Sequence, residues 1–404
     1  VVIVMIEPPL PFGNAVSRSY HVLVRGLVER GHRVTTFATC SRPEDRDATR
    51  DLFPAPAFDV RPYAHPSRSS GLAAKLETVR RPFSYMFSRE LRDDLRRTLE
   101  NGFDVLHLEQ TWSGWLGLDH ADRTLLNVLS SYAVDLADDR PGATRDRVAR
   151  WLAIRAERAL TRRYRHVRTC SERLAEMARA WNPTAEITTV PLGINLELYD
   201  YVPDERRTAE PVVSLIGSMN WAPSLSAAER LLDRLWPAIR EQVPEATLQV
   251  VGWEARRALA RFLDLPGVEI VESVPTTRPY FERAGVILYA PSQGSGMKVK
   301  VQEAMAYGVP VVTNRDGAEG LPARDGIEAG IAEDDAGLVA RTVALLRDPA
   351  RRDRQRAAAR SMLQDHCTPG PILDAIETIH RRIASTSGSG SGSGGKRERS
   401  RPSR

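Results

Sequence analysis

The chain has 404 residues, 42% of them apolar and 27% charged, enough to bury substantial cores in two or three domains. No apolar run reaches the roughly 18–20 residues of a membrane span, which excludes an integral helical membrane protein; without a charged leader ahead of the opening apolar run, a cytoplasmic location is expected. The net charge of +5 comes mostly from residues 385–404, where Lys396, Arg397, Arg399, Arg401 and Arg404 face Glu398 alone, so charge gives no argument for a nucleic-acid partner.

Residues 1–6, VVIVMI, form the continuous apolar run expected of a strand buried on both faces of a parallel sheet. A proline-rich turn ending in Gly13 and Asn14 follows, then a helical pattern over 16–29 with Tyr20, Leu23, Val24, Leu27 and Val28 on one stripe. Gly31 ends it, and 34–37 reads as the next strand. This order of strand, loop, helix and strand opens a doubly wound sheet. Gly13 belongs to no GxGxxG pattern; it is either a plain turn glycine or a place where backbone approaches a ligand at the strand's carboxyl end. Residues 41–66 are polar and proline-rich and predict a loop with one strand near Asp59.

From 72 to 101 the pattern is helical and arginine-rich, with Arg80, Arg81, Arg89, Arg92, Arg96 and Arg97 interleaved with Phe83, Tyr85, Met86 and Phe87. Such a stretch suits weak peripheral contact with a membrane or an acidic acceptor, or simply a solvated helix face over core aromatics. Residues 103–109, FDVLHLE, predict another strand. His107 and Glu109 fall near its carboxyl end, where α/β sheets present ligand groups, so His107 is a candidate catalytic residue against the alternative of a packed histidine. A strand at 125–129, a long amphipathic helix at 147–165 and a strand leading to a helix cap at Ser171 complete the first half.

Cys40, Cys170 and Cys367 are far apart and form no CxxC, so buried free thiols are expected rather than zinc ligands or disulfides. The polar stretch 201–210 is the best boundary, giving domains at 1–203 and 211–370, a final helix at 371–384 and a Gly/Ser and basic tail, expected to be disordered, at 385–404. Residues 211–217 open a second sheet, with Gly217 at its turn, and strands follow at 248–252 and 268–274.

The most informative stretch runs from Tyr289 to Leu321. It reads as strand, glycine turn at Gly294, Ser295 and Gly296, helix from Met297 to Tyr307, and a short strand at 310–313. A glycine turn feeding a helix points unpaired N–H groups outward at the positive end of the helix dipole, which is an anion site. The chain has four lysines (Lys75, Lys298, Lys300 and Lys396) among 57 basic residues, and two of them stand here. Lys300 and Glu303 are three apart and share a face, suited to a diphosphate and a ribose diol; the plainer reading is a solvated ion pair.

The segment GSGMKVKVQEAMAYGVPVV from Gly294, followed by GAEGL at 317–321, resembles the donor signature of GT-B glycosyltransferases, in the large family-four (group 1) set of retaining enzymes. FDVLH at 103–107 and VPLGIN at 190–195 resemble further segments of that family. The resemblance implies two Rossmann-like, doubly wound α/β domains facing across a cleft. It implies that Glu303 holds the donor ribose and that Lys298 and Lys300 hold the diphosphate. Gly13, Asn14, Gly217, Val274, Gly294, Ser295, Gly296, Met297 and Val299 are implied as further donor contacts. Two positions depart from the family pattern. A second glutamate common eight residues before the helix one is Ser295 here, and a histidine common after the strand at 125–129 is replaced by Leu129, Ser130 and Ser131.

The implied function is transfer of a sugar from a nucleoside diphosphate sugar to a small-molecule, glycan or lipid-linked hydroxyl acceptor, needing neither cofactor nor metal. The helix start and the lysines would stabilise the leaving diphosphate. Retention follows from the resemblance alone. The pairs Asp138-Asp139 and Asp334-Asp335 are expected to be surface charges. Alternatives on the same fold are a silent nucleotide-binding subunit, an epimerase or a phosphorylase.

Overall fold

The structure, a computed structural model, describes all residues except 67–71, 136–143, 204–205, 207–209, 293 and 389–404. Asp138-Asp139 and most of the tail therefore lie outside the described residues.

Seven parallel strands form the first sheet: β1 (Val2–Met5), β2 (Thr35–Cys40), β3 (Asp59–Ala64), β4 (Leu106–Glu109), β5 (Thr124–Val128), β6 (His166–Thr169) and β7 (Glu186–Thr189). They lie in the order β3-β2-β1-β4-β5-β6-β7. Six more form the second sheet: β8 (Val212–Ile216), β9 (Thr247–Val251), β10 (Val268–Val271), β11 (Val286–Tyr289), β12 (Val311–Thr313) and β13 (Gly330–Ile331), in the order β10-β9-β8-β11-β12-β13. Strands β1, β4, β5, β8 and β11 are buried along their whole length, as both-face burial in a parallel sheet requires. In each sheet the order reverses beside the first strand, between β1 and β4 and between β8 and β11. Such a switch point leaves a crevice at the strands' carboxyl ends.

Two segments differ from the sequence reading. Residues 43–52, expected as loop, are the helix Pro43–Leu52: Pro43 starts it rather than breaking it, and Glu44 and Asp45 sit favourably in its first turn. The helical stretch after residue 72 is interrupted at Pro82 and Phe83, whose φ is 66°, and resumes as Arg89–Glu100 under a Ser88 cap. Leu91, Leu95 and Leu99 are its buried stripe.

The last helix, Pro369–Gly388, returns to the first sheet. Leu373 lies against Gly26, where a Cβ would stand 2.3 Å from Leu373 Cδ1. Arg30 reaches Asp374 at 2.6 Å and Glu377 at 3.1 Å. One apolar core runs from Ile3 and Leu27 through Leu192 and Met297 to Val301 and Ile376, so the two sheets and the last helix share it.

Candidate active site

Both switch points open onto one cavity of about 610 Å³. The first sheet contributes Gly13, Asn14 and Arg18 after β1, Gln110 after β4, and Leu129, Ser130 and Asp135 after β5. The second contributes Gly217 and Trp221 after β8, Gly252 and Trp253 after β9, Val274, Thr277 and Phe281 after β10, and Ser295, Met297, Val299, Lys300 and Glu303 from the glycine turn and the helix Val299–Ala306.

The glycine turn is built against the opposite lobe. Gly296 has φ of +74°, and a Cβ there would lie 2.0 Å from Leu129 O. Ser295 donates its N–H at 2.5 Å and its hydroxyl at 2.6 Å to Asp135 Oδ1, and the Ser131 N–H donates to Ser295 Oγ at 2.8 Å. Behind this segment Glu157 accepts from the Ser131 hydroxyl at 2.8 Å and from the Tyr132 and Ala133 N–H groups at 2.9 and 3.2 Å. Burial pushes the Glu157 carboxyl up to about 7 against those three hydrogen bonds.

The two lysines part company. Lys298 is 1% exposed, and its ammonium donates to Gly294 O and Ser295 O at 3.2 Å and to Gly296 O at 2.6 Å, with Glu319 Oε2 at 3.8 Å. It fastens the glycine turn from beneath and does not line the cavity. Burial lowers its pKa, and Glu319 opposes that shift. Lys298 also keeps a non-helical backbone (φ −92°, ψ 87°), so the helix begins at Val299 rather than Met297. Lys300 does line the cavity. Its ammonium donates to Ser224 Oγ and sits 4.8 Å from the ring centroids of both Trp221 and Tyr289. A Cβ at Gly217 would stand 2.6 Å from Lys300 Nζ, so the glycine is what leaves room for this ammonium. Burial, helped by the Lys298 charge, lowers the Lys300 pKa to about 7.

Glu303 faces the cavity one turn on. The guanidinium of Arg18 pairs with it across the lobes, and the Tyr199 hydroxyl donates to Glu303 Oε1 at 3.1 Å while accepting from Arg18 Nη1 at 3.0 Å. Asn14 caps the first helix by accepting from the Ser17 N–H at 2.9 Å. Gly294 is not on the cavity wall; it lies against Pro223, where a Cβ would be 2.6 Å from Cγ.

His107 is not brought to the cavity. It is 0% exposed within β4, its Nε2 is 3.1 Å from Glu109 Oε1, and its Nδ1 is 3.2 Å from His380 Nε2 on the last helix. Burial pushes the Glu109 carboxyl up, but the His107 hydrogen bond and charge, with Arg168 and Asn127, hold it below the usual range. His107 therefore belongs to a buried polar contact between sheet and last helix, which is the packed alternative considered for it. Sequence reasoning missed Arg18, Asp135, Tyr199, Trp221 and Trp253 at the site. A signal existed for Arg18, one turn beyond the capped Gly13-Asn14 turn, and for Trp253, directly after a strand-end glycine.

Residues 14–193 match the family model for the glycosyl transferase 4-like domain, and 210–348 match that for glycosyl transferases group 1. The chain belongs to the group 1 glycosyltransferases of the GT-B fold. Among solved structures, this glycosyltransferase is similar to a sucrose-phosphate synthase from Thermosynechococcus elongatus (18% identity, TM-score 0.74, 95% of this chain and 99% of that one covered). It is also similar to WaaG, a glycosyltransferase involved in lipopolysaccharide biosynthesis (14%, 0.66, 94% and 99%), and to Anabaena HepE in complex with UDP and glucose (14%, 0.61, 96% and 99%). At these identities the likeness is one of fold. A comparison with curated protein sequences returns no match. Among the described residues, no group of three or more His, Cys, Asp or Glu side chains is placed to hold a metal ion, and no helix is long and apolar enough to cross a membrane.

Proposed function

We propose that this glycosyltransferase moves a sugar from a nucleoside diphosphate sugar to a hydroxyl acceptor, with retention and with neither metal nor cofactor. One observation carries the reading: Lys300, Glu303 and the start of the Val299–Ala306 helix converge on a single cavity between the two switch points, under the exposed rings of Trp221 and Trp253. HepE has been crystallised with UDP and with UDP-glucose, and TarM of S. aureus with UDP, so uridine nucleotides are the first donors to try.

In this reading the base lies by Val274 and Phe281, Glu303 accepts from the ribose diol, and Lys300 with the helix N–H groups meets the diphosphate. That leaves the transferred sugar at the glycine turn. There Asp135, held by Ser295, supplies a carboxylate for its hydroxyls from the opposite lobe. The acceptor approaches along the first domain, residues 1–203, and the donor is held by residues 211–370. The bond between the sugar's anomeric carbon and the phosphate oxygen breaks as the acceptor oxygen bonds to the same face. The departing phosphate oxygen takes the acceptor's proton, so no histidine is needed at the cavity. A cytoplasmic location belongs to the same reading.

Glu303→Gln tests the donor pose. Loss of the charged acceptor should weaken UDP binding about tenfold or more, about 1.5–3 kcal/mol, in calorimetry. Unchanged affinity would remove the ribose from Glu303.

A further inference from the structure

Nine large apolar side chains are exposed among the described residues, and four of them, Leu76 (68%), Val79, Val148 and Trp151 (60%), stand on just two helices of the first lobe. These are Leu72–Arg80 and Thr144–Thr161. Leu76 and Val79 are three apart, as are Val148 and Trp151, so each pair lies on one helix face. Arg155 joins the two faces: its Nη2 donates to Val79 O at 3.4 Å, and its guanidinium lies 5.3 Å from the Trp151 ring centroid.

Cations surround these side chains. Lys75 and Arg80 are exposed on the first helix, and Arg147, Arg155 and Arg158 on the second, with Arg162 just beyond its end. Against them stand Glu77 and Asp146, since Glu157 is buried toward the cavity. The charge around the apolar centre is one-sided, six cations against two acids, which favours an anionic partner surface. The patch matches a bilayer interface, where indole rings settle at headgroup depth and arginines meet anionic phosphates.

We infer that this face docks the first lobe onto an anionic membrane surface. The patch also connects to the cavity wall. Ala153 and Ala156 of the second helix pack with Trp112, Phe83 and Tyr132, the Phe83 ring centroid lying 3.9 Å from that of Trp112 and 5.5 Å from that of Tyr132, and Tyr132 follows Ser131 in the segment held by Glu157. Docking therefore holds at the bilayer the helices that back the cavity's first-lobe wall. The docking itself does not depend on the donor reading, because its measurement contains no nucleotide.

The experiment is co-sedimentation of the full chain with vesicles of phosphatidylcholine, alone or with about 30 mol % phosphatidylglycerol, at about 0.1 M and about 1 M salt. The expected result is binding to the anionic vesicles only, released at high salt. The double substitution Leu76→Ser with Trp151→Ser, and separately Arg155→Glu with Arg158→Glu, should each lower partitioning at least about tenfold. Circular dichroism melting and UDP calorimetry on the same variants establish that fold and cavity are intact. Equal partitioning of the variants, whether because the basic tail alone binds or because nothing binds, overturns the proposal. So does a self-associated parent chain whose variants become monomers, which would make the patch a contact between copies.

Discussion

Two lysines separated by one residue have opposite fates, because Lys298 stands outside the helix and Lys300 in its first turn. The non-helical backbone at Lys298 sends its side chain back beneath the glycine turn, while Lys300 follows the helix into the cavity. The sequence reading put both on the diphosphate; the fold turns Lys298 onto three carbonyls and leaves Lys300 on the cavity wall. Lys298→Met should accordingly strand buried carbonyls and lower stability by about 1–3 kcal/mol in denaturant unfolding, a loss that saturating UDP does not reverse. Lys300→Met removes a buried ammonium, so it should raise the melting temperature near neutral pH while weakening UDP binding. The pH dependence has a definite sign. A lysine ordinarily holds its proton to about 10.5, and Lys300 in the fold holds it to about 7. Between those values the unfolded chain binds the extra proton, so folding stability rises with pH across that window, and Lys300→Met should flatten the rise. Binding runs the other way. Above pH 7 the ammonium must be regained before it can meet a phosphate, so UDP affinity should fall by up to about tenfold per pH unit in calorimetry. Glu303 was legible because it stands three residues from Lys300, a spacing that does share a face. Arg18 and Tyr199 were not, because their partnership with Glu303 spans 285 and 104 positions respectively and no local pattern encodes it.

At the scale of elements, what was legible is what has a period. The apolar runs of β1, β5 and β8 and the stripe of the first helix are written locally, and the structure has them within a residue or two of the expected bounds. The helix Pro43–Leu52 was hidden because its composition is polar and it begins with proline, both of which imitate a loop. The glycine turn was legible as a turn, but not as a contact between lobes. Only the fold reveals that Gly296 lacks a side chain because Leu129 O occupies that space. Gly296→Ala should therefore push the turn off the first lobe and break the Ser295–Asp135 hydrogen bonds. Turnover should fall at least about tenfold while UDP affinity, set within the second lobe, falls little. A matched loss in both would mean that the turn acts on the nucleotide and not on the transferred sugar.

For the molecule as a whole, the two sheets are joined in three ways: a shared core, the last helix lying on the first lobe, and polar clasps that cross the cleft. The clasps are Arg18 with Glu303, Asp135 and Ser131 with Ser295, Ser171 with Glu319 at 2.6 Å, and Arg173 with Asp316 at 2.7 Å. Charge stabilisation in the proposed reaction comes from this assembled cleft. Turnover in the presence of EDTA should therefore equal that without it; loss of activity restored by a divalent cation would refute the metal-free account. The clasps also bear on traffic. With Arg18 already on Glu303, the ribose of an arriving nucleotide sugar finds its partner occupied, and the two halves must part there before it can bind. Association should then be paced by how often they separate rather than by diffusion, giving rates that level off as donor concentration rises.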